Sequence, residues 1–140
     1  ATALAELREL ARGIYPALLT EAGLSPALTS LAERAAVPVV LGALPDERPP
    51  AVVERTCYFV VSEALANAAK HASASRVDVE VVAHGDGLRV VVADDGVGGA
   101  DAAGSGLRGL ADRVAALGGL LHVSSPVRGG TRVTATLPCG

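Results

Sequence analysis

Apolar positions along the chain repeat with a helical period in four stretches and with a strand-like period between them. The helical stretches are residues 4–14, 25–35, 52–72 and 107–117. The strand-like stretches are residues 37–41, 76–81, 88–93, 120–124 and 132–137. Glycine-containing turns near 85–87 and 126–130 predict two hairpins. This order predicts an α+β fold, a two-layer sandwich in which a mixed sheet of about five strands carries three helices on one face.

Local signals refine the boundaries of these elements. Ser25 is a suitable N-cap with Pro26 at the first helical position. Tyr15-Pro16 ends the first helical stretch, because the residue before a proline disfavours the α region. We therefore expect a hinge there, and we expect Pro38 to place its strand at a sheet edge.

Composition narrows the class of protein. The 140 residues are half apolar and suffice for one domain with a real core. Two cysteines, Cys57 and Cys139, form no disulfide framework and suit a reducing cytosol. No apolar run approaches the roughly 20 residues of a membrane span. A net charge of −3, without a basic stripe or aromatic platforms, argues against a nucleic-acid partner.

Polar residues interrupt the longest helical stretch at one end. Glu63 and Asn67 lie on the stripe that is otherwise apolar, and Lys70 and His71 follow on the next turn. Burying carboxylate and amide groups without partners is costly, so we expect this end of the helix to line a cavity that holds a polar ligand. Lys70 is the only lysine in the chain. At the end of this helix, its compact ammonium group can neutralise phosphate oxygens or interact with the helix dipole.

Two glycine motifs lie near strand and helix ends. Residues 94–98, Asp-Asp-Gly-Val-Gly, close an apolar strand and, with the polar helix end, predict a site for a nucleotide and its metal. Residues 104–109 form a GxGxxG string, which alone is weak evidence for a dinucleotide fold. The string follows residues 101–103 instead of a strand, and no acidic residue lies about 20 positions onward, so the dinucleotide interpretation fails.

Four motifs then occur in a characteristic order. They are GluxxxAsnxxLysHis at 63–71, AspAspGlyxGly at 94–98, GlySerGlyLeuArgGlyLeu at 104–110 and GlyGlyThrxxxxxLeuPro at 129–138. The chain resembles the ATP-binding domain of sensor histidine kinases, within the superfamily shared with gyrase, Hsp90 and MutL. The resemblance covers about residues 17–138 and implies the Bergerat-type ATP-binding fold.

The resemblance also implies a division of the chain. Residues 1–16 look like the tail of a dimerisation helix and a linker, as in the branch related to nitrate-response and membrane-fluidity sensors. Residues 17–140 are then the ATP-binding catalytic domain.

The resemblance assigns the base-binding residues. Asp94 matches the aspartate that accepts the exocyclic amino proton of adenine, a contact that rejects guanine because guanine presents an oxygen there. Thr131 matches the threonine that supports this contact through its hydroxyl and a water. Gly96 and Gly98 let the backbone approach the ligand without a Cβ. The structural alternatives are an ordinary Asp-Gly turn and a sheet-surface threonine.

Helix residues are assigned to the metal and phosphates in the same way. Asn67 matches the Mg²⁺ ligand, with the other ligands supplied by water and phosphates. Lys70 and His71 match nucleotide-binding positions, although His71 can equally cap the helix. Glu63 matches the carboxylate that orients or deprotonates the attacking group, the alternative being a structural glutamate.

The glycine string matches the lid of the family. Backbone amides at the start of the third helix, at Gly104, Ser105, Gly106 and Leu107, would hold the phosphates. Arg108 would lie nearby, with a solvated surface charge as the alternative.

These assignments predict an ATP-binding domain that supplies the γ-phosphoryl of Mg·ATP to a histidine on its own dimerisation domain, for transfer to a response regulator. His84 and His122 fall in a turn and on a strand, so we expect no autophosphorylation of this chain alone. The full-length parent protein that contains this domain would be a homodimer, and the isolated domain would be a monomer. We expect a cytoplasmic location, including the cytoplasmic part of a membrane-bound sensor.

Three alternatives stay open. An anti-sigma-factor-type serine kinase shares the fold and phosphorylates a serine on a partner. An ATP-driven clamp would need a longer lid than residues 100–105 and a further domain. A degenerate binding module would retain the nucleotide without transfer.

Overall fold

The computed structural model describes residues 17–72, 74–98 and 105–139. The helices are α1 (Ala17–Ala22), α2 (Leu24–Arg34), α3 (Ala51–Asn67) and α4 (Ser105–Ala116), and α3 continues into a π-helical turn, Ala68–Ala72. The strands are β1 (Val39–Leu41), β2 (Val77–His84), β3 (Gly87–Asp94), β4 (Leu120–Ser124) and β5 (Thr131–Pro138). The predictions for residues 1–16 lie outside the described residues.

One mixed sheet organises the domain. Its strand order is β1-β2-β3-β5-β4, with β1 parallel to β2 and the other neighbours antiparallel. Alternate residues of β2, β3 and β5 are buried on one face, where they meet the helices. They are Val77, Val79, Val81, Val90, Val92, Val133, Ala135 and Leu137. The predicted α+β class with a mixed five-stranded sheet is confirmed, as is the edge position of β1.

Helix α3 packs over β3 and β5. Val53, Cys57, Val60 and Leu65 are all buried, as the nearly continuous apolar sequence predicts. Each such side chain contributes about 1.5 to 3 kcal/mol of burial energy, so α3 is fixed on the sheet chiefly by apolar contact. Burial also raises the pKa of the Cys57 thiol, which keeps this cysteine protonated and unreactive.

The predicted N-cap at Ser25 is wrong. Gly23, at φ +99°, precedes α2, and the Ser25 hydroxyl instead donates to the carbonyl of Pro45 at 3.1 Å. The short helix α1, which ends at Ala22 just before Gly23, was not predicted. Gly23 allows this sharp helix-to-helix turn because the left-handed region costs glycine little.

An ion pair between buried Glu54 and exposed Arg48 holds this turn in place. Glu54 in the first turn of α3 is only 2% exposed, and its carboxylate accepts hydrogen bonds from the Leu24 N–H at 3.1 Å and from Arg48 at 2.7 Å. Arg48 also donates to the carbonyls of Leu19 and Thr20 at the end of α1. The pair therefore satisfies backbone groups at two helix ends and joins them to α3.

No helix among the described residues has the length and apolar character needed to cross a membrane.

Candidate functional site

Asp94 is fixed at the end of β3 by backbone donors. Its Oδ1 accepts the N–H of Gly96 at 2.9 Å and the N–H of Thr131 at 3.2 Å. Asp94 and Thr131 also face each other in the β3–β5 pairing. The side chain is half-buried, and no hydrogen bond within the described part of the chain engages its second oxygen, Oδ2. One carboxylate oxygen is anchored and the other can accept from a ligand.

The hydroxyl of Thr131 has a partner of its own. Ser125 lies just after β4, and its Oγ is 2.6 Å from Thr131 Oγ1. The same Oγ is 3.5 Å from the carbonyl oxygen of Gly130. Ser125, Thr131 and Asp94 thus form a connected row of polar groups at one end of the sheet.

The β4–β5 loop closes tightly on the turn after Asp94. Gly130 has φ +74°, and a Cβ there would collide with the Asp94 carbonyl oxygen. Gly98 has φ +70°, and a Cβ there would collide with the Pro126 carbonyl oxygen. The structure therefore requires Gly98 for contact with its own loop, whereas its predicted role in ligand approach stays a prediction. Arg128 adds a backbone hydrogen bond to the Val97 carbonyl.

Asp95 ties this turn to the end of α3. Its carboxylate accepts the Ser75 N–H at 2.8 Å, the Arg76 N–H at 3.1 Å and the Ser75 hydroxyl. These bonds, the hydroxyl bond above all, hold the pKa of Asp95 below its usual range, because they favour the charged carboxylate. The sequence analysis missed Asp95, although its place next to Asp94 in the motif was a signal.

The sheet topology brings the end of α3 to the same place. Val77 pairs with Asp94, which pairs with Thr131, so these three residues form the last row of the three central strands. Only residues 73–76 separate that row from Ala72, the last residue of the π-turn. The polar end of α3 and the Asp94 end of β3 are therefore neighbours.

The predicted residues of α3 lie at this end. Glu63 and Asn67 are half-buried, and neither side chain has a hydrogen bond or ion pair with another described residue. Lys70 is exposed and His71 lies in the π-turn that directly follows Asn67. Single π-turns within helices are frequent at functional sites because they redirect the side chains that follow.

The start of α4 contributes backbone amides. The helix begins at Ser105, as the glycine string predicts, and Gly106 and Leu107 follow in its first turn. The Leu107 side chain is 4% exposed and lies in the core, so only its N–H can face a ligand. The first N–H groups of a helix have no partner within it and attract anions. Gly104 lies outside the described residues.

The fold and this arrangement define a nucleotide-binding domain with a carboxylate at a strand end, a polar helix end and a helix N-terminus. Residues 52–140 match the family described as histidine kinase-, DNA gyrase B-, and HSP90-like ATPase. The chain belongs to this family.

Two relatives that the chain resembles are named histidine kinases. The signal transduction histidine-protein kinase/phosphatase UhpB of Salmonella typhimurium is 42% identical over 59% of this chain and 17% of its own length. The sensor histidine kinase MctS of Rhizobium johnstonii is 31% identical over 97% of this chain and 32% of its own length. The chain spans a third or less of these two relatives.

Solved structures agree. The blue-light activated histidine kinase of Erythrobacter litoralis superposes with a TM-score of 0.70 at 27% identity, covering 83% of this chain and 42% of that one. The ATP binding domain of PrrB from Mycobacterium tuberculosis gives a TM-score of 0.63 at 24% identity, over 84% and 91%, which shows the fold alone. The family match and these relatives confirm the prediction of an ATP-binding domain of the sensor histidine kinase type. They do not favour the alternative of a serine kinase.

Proposed function

We propose that this domain binds Mg·ATP and presents its γ-phosphoryl to a histidine on the dimerisation domain of the same parent protein. A response regulator would then receive the phosphoryl group. The observation that carries the proposal is the Asp94 carboxylate, which is anchored through Oδ1 and whose Oδ2 has no hydrogen bond to a described residue. An amino group next to an acceptor nitrogen, as in adenine, fits this carboxylate and the neighbouring Thr131 hydroxyl.

The phosphates and metal would lie between α3 and α4. The N–H groups at Ser105, Gly106 and Leu107 offer donors without intrahelical partners, and exposed Lys70 offers a charge. Asn67 would supply one neutral oxygen to Mg²⁺. Water and the phosphates would supply the other ligands, because Mg²⁺ usually keeps several waters and binds substrate phosphates.

Each side chain then has a limited task. Bound Mg²⁺ neutralises charge on the phosphates. Glu63 orients the acceptor or takes its proton, whereas Asp94 and Thr131 hold the base. Because phosphoryl transfer depends chiefly on positioning and charge neutralisation, these residues need only place the γ-phosphoryl where an incoming histidine can reach it.

The same proposal covers the remaining expectations. Residues 1–16 would lead from a dimerisation helix into the catalytic domain at residue 17, the parent would be a homodimer and the isolated domain a monomer. The location would be cytoplasmic. The domain alone would not label itself, since the acceptor histidine belongs to the dimerisation domain.

Two measurements test the proposal. Calorimetry should detect ATP binding with magnesium, and GTP should bind much more weakly. Radiolabelled γ-phosphate should then appear on histidine only when the parent's dimerisation domain is added. Absence of ATP binding would reject the nucleotide site, whereas binding without histidine labelling would leave a binding module.

A further inference from the structure

Ser125 lies beside the proposed base-binding pair without belonging to it. The single proton of its hydroxyl has two acceptors within reach. Thr131 Oγ1 lies at 2.6 Å, a full hydrogen bond, and the Gly130 carbonyl oxygen lies at 3.5 Å, the outer limit of one, so Thr131 is the closer acceptor. Its neighbour Ser124 is exposed and pairs with Arg132 in the sheet. Only one of these adjacent serines therefore touches Thr131.

The direction of this hydrogen bond decides what Thr131 can offer a ligand. Each hydroxyl has one proton and can also accept. If Ser125 donates to Thr131, the Thr131 proton is available to a third group. If Thr131 donates to Ser125, the Ser125 proton goes to the Gly130 carbonyl, and Thr131 offers that third group only lone pairs.

Purine bases differ in the hydrogen-bonding groups at position 6 and at N1. Adenine presents an amino donor beside the acceptor N1, whereas guanine and hypoxanthine present a carbonyl acceptor beside a protonated N1. Asp94 accepts through a carboxylate that is fixed by Gly96 and Thr131. A base that donates to Asp94 and accepts at N1 therefore needs a donor from Thr131, directly or through a water.

We infer that Ser125 is a specificity-determining positioning residue, which donates to Thr131 and so directs the Thr131 proton toward N1 of adenine. The inference rests on the proposed function. Asp94 alone selects the amino group of the base. The Ser125–Thr131 contact would also select a base whose N1 is an acceptor.

A matched pair of variants tests the direction of the bond. Asn and Asp have nearly the same size and differ in their hydrogen-bonding groups. Ser125→Asn keeps a donor for Thr131, whereas the ionised side chain of Ser125→Asp offers only acceptors. Titrations with ATP and inosine triphosphate, both with magnesium, give an affinity ratio in which a general effect of the new charge cancels. We expect Ser125→Asn to keep the wild-type preference for ATP and Ser125→Asp to lower it about tenfold, since one favourable contact becomes unfavourable.

Controls separate this role from a structural one. Ser124→Asp adds the same charge one residue away and should leave the ratio unchanged. Equal ratios in Ser125→Asn and Ser125→Asp would overturn the inference. Failure of the unmodified protein to bind ATP would overturn the proposed function, and this inference with it.

A second measurement does not depend on either larger side chain. The 1-deaza analogue of ATP lacks the N1 acceptor and should bind the unmodified protein about fivefold more weakly than ATP. In Ser125→Ala the loss of affinity from ATP to the 1-deaza analogue should be smaller, because the Thr131 hydroxyl is no longer oriented. An identical loss in both proteins would show that Ser125 does not act through N1.

Discussion

Ser75 donates two hydrogen bonds to the Asp95 carboxylate, one from its backbone N–H and one from its hydroxyl. The pair joins the segment that follows α3 to the turn that follows Asp94. The two halves of the proposed site are therefore linked by protein contacts before any ligand binds.

This contact predicts a pH-dependent contribution to stability. The pKa of Asp95 is lowered in the folded state, so its contribution is present above the unfolded pKa of about 4 and is lost as the pH falls through the folded value. Asp95→Asn should lower Tm at neutral pH, and the difference from wild type should shrink below about pH 4. Thermal melts across pH would show this, with Asp86→Asn in the distant hairpin as the control. A difference of constant size at all pH values would contradict the assignment.

Asp94→Asn should remove most of the preference for adenine. A hydrogen bond to an ionised group contributes roughly 1.5 to 3 kcal/mol, so ATP affinity should fall by about 10-fold to 100-fold. Calorimetry with ATP and GTP measures both affinity and preference. Asp86→Asn removes the same charge far from the site and should change neither. Unchanged ATP affinity in Asp94→Asn would reject the base contact.

Asn67→Ala should weaken nucleotide binding only when magnesium is present. We expect about a tenfold loss with the metal and little change in its absence, because the amide oxygen would contact Mg²⁺ and not the base. Titrations with magnesium and with a chelator separate the two conditions. Ser62→Ala, on the same helix and also half-buried, is the control. An equal loss in both conditions would show a structural role.

Glu54→Ala should destabilise the domain without altering the site directly. The change leaves the buried Leu24 N–H without its acceptor, at a cost of about 1 to 3 kcal/mol, and it also removes the contact with exposed Arg48. Denaturant unfolding measures that loss, and Glu47→Ala, an exposed neighbour, should cost almost nothing. Similar stabilities for the two variants would mean that the hydrogen bonds of Glu54 contribute little.

Two glycine substitutions should have opposite effects. Gly130→Ala should destabilise by about 1 to 3 kcal/mol, because φ is +74° and the new Cβ would meet the Asp94 carbonyl. Gly109→Ala should stabilise by up to about 1 kcal/mol, because the position is helical and a Cβ there meets no described residue within 4 Å. Unfolding curves for both variants test the signs, and a stabilising Gly130→Ala would contradict the close approach.

Periodic patterns predicted most of the fold. The β2–β3 hairpin, the central position of β3 and the core residues of α4 follow from alternation and helical spacing, which report burial directly. The extent of α3 was also predicted, but its final π-turn was not. Hydrophobic spacing does not distinguish an α turn from a π turn over five residues.

Contacts between distant residues escaped prediction for a different reason. Glu54 lies within the helix predicted over residues 52–72, yet its partner Leu24 is thirty positions away in the sequence. The Ser25 hydroxyl fits an N-cap locally but bonds to Pro45, because the loop approaches it. For the candidate site, motif order indicated Asp94, Thr131 and Asn67, whereas Ser125 and Ser75 became visible only through the pairing of β4 with β5 and of β2 with β3.

The anchoring of Asp94 Oδ1 has an entropic consequence. Two backbone amides already restrict this side chain in the free protein, so ligand binding does not have to freeze its rotamers. The carboxylate proposed to bind the base is thus preorganised in the free protein.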